Sequence, residues 1–77
     1  MATPVRVRPL EIPGRINRTY RVRDVAEVDA ALRALAMWFF DQVVKPRTVT
    51  LAMIENLRHD QDKLLDARFE FARKGLR

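Results

Sequence analysis

INRTYRVRDVAEVDAAL, residues 16–32, changes its period at the midpoint. Up to Arg23 the side chains alternate. Ile16, Tyr20 and Val22 share one face, while Arg15, Asn17, Thr19, Arg21 and Arg23 share the other, and Arg18 alone breaks the pattern. Period-two alternation of this kind marks a half-buried strand. From Asp24 the apolar spacing becomes three and four, and Val25, Val28, Leu32, Leu35, Phe39 and Val43 form a helical stripe. Asp24 and Glu27 stand in capping-box relation, each placed to accept a free N–H at the helix start. A strand that passes directly into a helix at Arg23–Asp24 is the expectation.

Upstream, residues 1–23 hold Pro4, Pro9 and Pro13, three of the four prolines. Proline fixes φ and disfavours the helical region at the residue before it, so no helix is expected there. Val5 to Arg8 also alternates with period two. Pro13-Gly14 suits a type II turn, whose twist matches a tight hairpin poorly, so an extended arm leading into a single strand is expected.

Downstream, Lys45-Pro46 ends the first helix after about 20 residues, or about 30 Å. A second helix begins at Thr48 or Thr50, either of which suits an N-cap. Its stripe reads Ile54, Leu57, Gln61, Leu64, Arg68 and Phe71, widened by Leu65, Phe69 and Ala72. Arg73 and Lys74 fall in the last turn, where the helix dipole favours cations, and Gly75 fits the position just past the end. The short connection makes the helices antiparallel neighbours. The predicted class is mainly α: a basic arm with one β-strand over 1–23, then a two-helix hairpin over 24–77 with helices at about 24–44 and 48–74.

Two helices enclose little core, and a 77-residue chain is one small domain that buries only about 60% of its unfolded surface. Met37-Trp38-Phe39-Phe40 places large apolar groups on every side of one helical turn, the pattern of a helix buried all round. Oligomerisation answers both points, most simply a dimer whose paired hairpins make a four-helix bundle. The expected interface residues are Leu35, Trp38, Phe39, Phe40, Val43, Leu57, Leu64 and Phe71. In the alternative, the strand folds back over the cluster within one chain.

The chemistry of the chain is sparse. It has no cysteine and no serine, which removes disulfides, thiolate metal sites and the common nucleophiles. Two isolated glycines, Gly14 and Gly75, do not make a phosphate-cradling loop. No apolar run reaches the roughly 18 residues of a membrane span, and the N-terminus lacks the apolar stretch of a secretory signal. Glu55, His59, Asp62, Asp66 and Glu70 line one side of the second helix at spacings that suit a divalent ion. The plainer reading is a solvated face compensated by Arg58 and Lys74. No enzyme activity, cofactor, metal, small-molecule substrate or membrane partner is expected, and a cytoplasmic or virion-associated protein is.

Charge carries the strongest functional signal. Residues 1–23 hold six arginines, one acid and no lysine, whereas residues 24–77 hold nine basic and nine acidic side chains. The whole formal charge of +5 therefore belongs to the N-terminal third. Between Gly14 and Arg23 alone there are four arginines and no acid. The guanidinium fork binds phosphate bidentately and stacks on bases. Asn17, Thr19 and Arg21 are side chains suited to adenine, the thymine methyl and guanine, and Arg15 and Arg23 are placed to anchor on phosphates. Arg6, Arg8 and Arg18 complete the expected nucleic-acid-binding set, with DNA the first expectation. An acidic protein surface is the other polyanion considered.

A polar-faced strand followed by two helices is similar to the element order of ribbon-helix-helix repressors, over Arg15 to about Leu57. The resemblance implies strands from two chains pairing in the major groove, with Asn17, Thr19 and Arg21 as base readers. The chain departs from that family in its longer first helix and in having Lys45-Pro46-Arg47 where the family usually has a glycine. A different class of function is a structural subunit of a larger assembly, such as a phage particle, with the arm docked on neighbouring subunits.

Overall fold

The structure is a computed structural model and describes residues 8–44 and 49–77. It is mostly helical, with strands β1 (Leu10–Pro13) and β2 (Thr19–Val22) followed by helices α1 (Val25–Val44) and α2 (Leu51–Arg73). Both helices begin, and α2 ends, where local chemistry directs. Asp24 Oδ1 accepts from the Glu27 N–H at 2.8 Å. Glu27 Oε1 accepts from the Arg23 N–H at 3.0 Å, one residue before the partner a reciprocal capping box would use. Thr50 caps α2, its Oγ1 accepting from the Met53 N–H at 3.1 Å. Thr48, the other predicted cap, and the Lys45-Pro46 stop lie outside the described residues.

Gly75 ends α2 with φ 78°, the left-handed conformation that glycine adopts without steric cost. Its N–H donates to the Ala72 carbonyl at 3.1 Å, and the Leu76 N–H donates to the Phe71 carbonyl at 2.8 Å. Together these bonds form a Schellman motif. The reversed chain then accepts from α1, because the Val25 N–H donates to the Leu76 carbonyl at 2.9 Å. The start of α1 therefore lies beside the end of α2, and the helices run antiparallel. Arg68 Nε donates to Asp29 Oδ1 at 2.7 Å along the same seam.

The arm differs from the single-strand expectation. Residues 10–13 and 19–22 pair antiparallel, with Leu10 opposite Val22, Glu11 opposite Arg21, Ile12 opposite Tyr20 and Pro13 opposite Thr19. Pro13-Gly14 makes no two-residue turn. It opens a five-residue loop closed by the Gly14 N–H donating to the Arg18 carbonyl at 3.0 Å. A longer loop escapes the twist mismatch that a type II turn would impose.

This hairpin supplies the third wall of the core. Ile12, Tyr20 and Val22 are buried with Val28 and Leu35 of α1 and with Leu57, Leu64, Ala67 and Phe71 of α2. The second-helix stripe is accordingly rotated from its predicted position. Asp60 and Ala67 are buried on the side the hairpin covers, whereas Ile54, Leu65 and Phe69 are exposed on the other side. Leu35, Leu57, Leu64 and Phe71, expected between subunits, fill the core of one chain. Trp38 and Phe39 are half-buried, while Phe40 and Val43 face solvent.

Candidate nucleic-acid interface

Alternation along β2 sets the outer surface of the hairpin. Tyr20 and Val22 are buried against the helices, so Thr19 and Arg21 are exposed together with Glu11 and Pro13 opposite them. Arg18 stands exposed at the loop end of the ribbon and Arg23 at its far end. Arg15 and Asn17, predicted to lie in the strand, are exposed in the loop instead. The resulting ribbon is paired within one chain, unlike the two-chain ribbon that the resemblance implies. Arg6 lies outside the described residues.

The charge on this face is only partly compensated. Glu11 Oε1 lies 3.4 Å from Arg21 Nε, with both side chains more than half exposed, so water screens the pair. Arg8 and Arg23 line a groove at the open end of the hairpin together with Arg77. Arg77 escaped the sequence reading because it is 54 residues from Arg23 and belongs to the charge-neutral part of the chain. It arrives there because the Schellman turn reverses the chain after α2.

Asp60 holds the loop in shape. The residue is fully buried. Its Oδ1 accepts from the Arg15 N–H at 2.8 Å and from His59 Nδ1–H at 3.1 Å. Its Oδ2 accepts from the Ile16 N–H at 2.8 Å and from the Tyr20 hydroxyl at 2.6 Å. Burial by itself would raise the pKa of the carboxyl. The Tyr20 hydroxyl, the Arg15 amide, His59 and the Ile16 amide outweigh it and lower the value from 3.8 to about 2. The Tyr20 hydroxyl moves the other way, to about 12, through burial first and then its hydrogen bond to the Asp60 anion; Asn17 pulls weakly against them.

Gly14 belongs to the same arrangement. A Cβ at this position would run into the Asn17 carbonyl and the Tyr20 ring, and would lie 3.0 Å from Asp60 Oδ2. The absent side chain is what lets the loop close over the carboxylate. Two backbone N–H groups that would otherwise be unpaired beside the core thereby gain an anionic acceptor. The Arg15 and Ile16 amides are thus fixed from inside, leaving the Arg15 and Arg18 guanidinium groups outside. Sequence reasoning missed Asp60 because nothing in its local spacing distinguishes it from the exposed Asp62 and Asp66.

His59 is half-buried and engaged with Asp60, whereas Glu55, Asp62, Asp66 and Glu70 are exposed. Among the described residues no group of three or more histidine, cysteine or acidic side chains is placed to hold a metal ion. No helix among them is long and apolar enough to cross a membrane. No protein-family model matches this chain, and neither a curated protein nor a solved structure does.

Proposed function

We propose that this chain is a non-enzymatic, homo-oligomeric nucleic-acid-binding protein of the cytoplasm or a virion that contacts duplex DNA through the outer face of its β-ribbon. The observation that carries this reading is the division of the hairpin. Ile12, Tyr20 and Val22 are committed to the core, so Thr19 and Arg21 face solvent with Arg18 and Arg23 at the two ends. A four-residue strand is about 13 Å long, and the major groove, about 12 Å wide, admits a two-stranded ribbon. Thr19 and Arg21 supply base-edge contacts, while Arg15, Arg18, Arg23 and Arg8 reach phosphates.

Residues 10–22 pack on the chain's own helices, which favours this reading over an assembly arm lying along a neighbour. Because the hairpin completes the core, removing residues 1–23 would also remove Ile12, Tyr20 and Val22. Surface substitutions therefore make the proper test. Duplex binding by the full chain should weaken with salt at a log–log slope of about −0.9 per phosphate contact. Arg18→Glu together with Arg23→Glu should abolish binding with helical content unchanged. If the doubly reversed chain binds duplex as well as the wild type, the proposal fails. Capture of an acidic protein in place of DNA would favour the assembly reading.

A further inference from the structure

Among the described residues, nothing covers a group of large apolar side chains on the flank of the helical pair away from the hairpin. The Asp29–Arg68 pair marks that flank. Phe40 stands eleven residues beyond Asp29, only about 20° from it around the helix. Trp38, about 200° from Phe40, lines a groove with Arg15, Ile16 and Asn17 of the hairpin loop. Met37, Phe40 and Val44 line a shared groove on α1, with Arg33 and Asp41 at its sides. Leu51, Leu65 and Phe69 of α2 lie on the same side of the helical pair. These six side chains are between 50% and 72% exposed.

We propose that a second copy of this chain covers this flank, giving a dimer whose two ribbons face outward in opposite directions and join two separate duplex segments. The area argues for a partner of this kind. Taking about 200 Å² for a whole phenylalanine and less for the aliphatic residues, the six leave roughly 700 Å² of apolar surface in water. A stable interface buries about 800 Å² on each partner, an area that this exposed apolar surface approaches. Charge argues for a copy of the same chain. The helical part, residues 24–77, has nine basic and nine acidic side chains, so two such bodies approach without net repulsion. The arginine-bearing ribbons stay on the far sides, out of each other's field.

The bridging part rests on the nucleic-acid reading, and the dimer part stands without it. Sedimentation equilibrium of the full chain, without DNA, should give a concentration-dependent dimer. Phe40→Asp and Phe69→Asp should each weaken it by about 30-fold or more with an unchanged helical circular-dichroism signal, which their exposure permits. A wild type that remains monomeric, or variants that dimerise as tightly as it does, would overturn the interface. Retention of a labelled duplex on an immobilised duplex then tests the bridge. Wild-type protein should retain it; Phe40→Asp should bind single duplexes without retaining a second; Arg18→Glu together with Arg23→Glu should dimerise without binding either. A wild-type dimer that binds duplex and never joins two would overturn the outward arrangement. Absence of all duplex binding with the dimer intact would overturn the bridge through the proposed function alone.

Discussion

Tyr20 and Asp60, forty residues apart in sequence, meet at 2.6 Å in the interior, where the phenol donates to the carboxylate. That bond joins the face of β2 turned away from solvent to the third turn of α2, and the same carboxylate fixes the loop. The shape of the outer surface thus depends on a charge that never reaches it.

Removing the acceptor should cost more than removing the donor. Asp60→Ala leaves the Arg15 and Ile16 amides and the Tyr20 hydroxyl without their acceptor, and is expected to destabilise the fold by about 3 kcal/mol or more. Tyr20→Phe leaves three of the four donors on Asp60 and should cost about 1.5–3 kcal/mol. Urea denaturation followed by circular dichroism reads both values. Equal effects would argue against the carboxylate as the organiser of the loop.

Acid should weaken the fold through this group. Asp60 is held at about 2 in the folded chain, below its ordinary 3.8, so it binds its proton less readily when folded. Its contribution is fully present above about pH 4 and is lost as pH falls through 2. A shift of this size corresponds to about 2 kcal/mol. Tyr20 has the opposite sign at the other end of the scale. Its pKa is raised from 10.0 to about 12, so its contribution is present below pH 10 and lost as pH rises through 12. Stability measured against pH in wild type and Asp60→Asn should differ in slope between pH 4 and 2.

The two glycines should respond to alanine for different reasons. At Gly14 the added methyl meets backbone, an aromatic ring and a carboxylate oxygen, so Gly14→Ala must displace the loop. A loss of about 3 kcal/mol is expected, as for overpacking of a tight site. At Gly75 the space is open but φ is positive, and Gly75→Ala should cost about 1–2 kcal/mol through backbone conformation alone. Thermal unfolding of the two variants gives the ranking.

On the ribbon, Glu11 opposes binding of any polyanion and partly occupies Arg21. Glu11→Gln should tighten duplex binding and steepen its dependence on salt. Arg21→Ala should relax base preference, and Arg15→Ala should weaken all sequences alike. Competition titrations at two salt concentrations distinguish these outcomes.

The features legible in the sequence are those decided within a few residues. Asp24 and Glu27, Thr50 and Gly75 mark helix ends by local hydrogen bonding, and they fall where the spacing predicts. The alternation from Thr19 to Val22 likewise gives the inward and outward sides of β2. The pairing of β1 with β2 was not legible, because a loop of five residues has no compact signature until Asp60 fills it. The rotated stripe of α2 was obscured for a related reason. An aspartate scores as surface in any hydropathy pattern, so the side facing the hairpin looks more polar than Leu65 and Phe69. Burial of that aspartate depends on partners 40 to 45 positions away.

The Val25–Leu76 hydrogen bond spans about two thirds of the sequence, and the bonds from the Arg15 and Ile16 amides to Asp60 span more than half of it. As the polypeptide emerges during synthesis, the arginine-rich segment appears first, yet its loop has no acceptor until α2 has been made. Native contacts this distant in sequence close slowly, because the entropy of a large loop opposes them until much of the core is in place. A partly synthesised chain thus carries the positive charge without the surface that orders it. Under the proposed DNA-binding role, such a chain attracts polyanions without discrimination, and selectivity for one sequence arises only once the last helix docks.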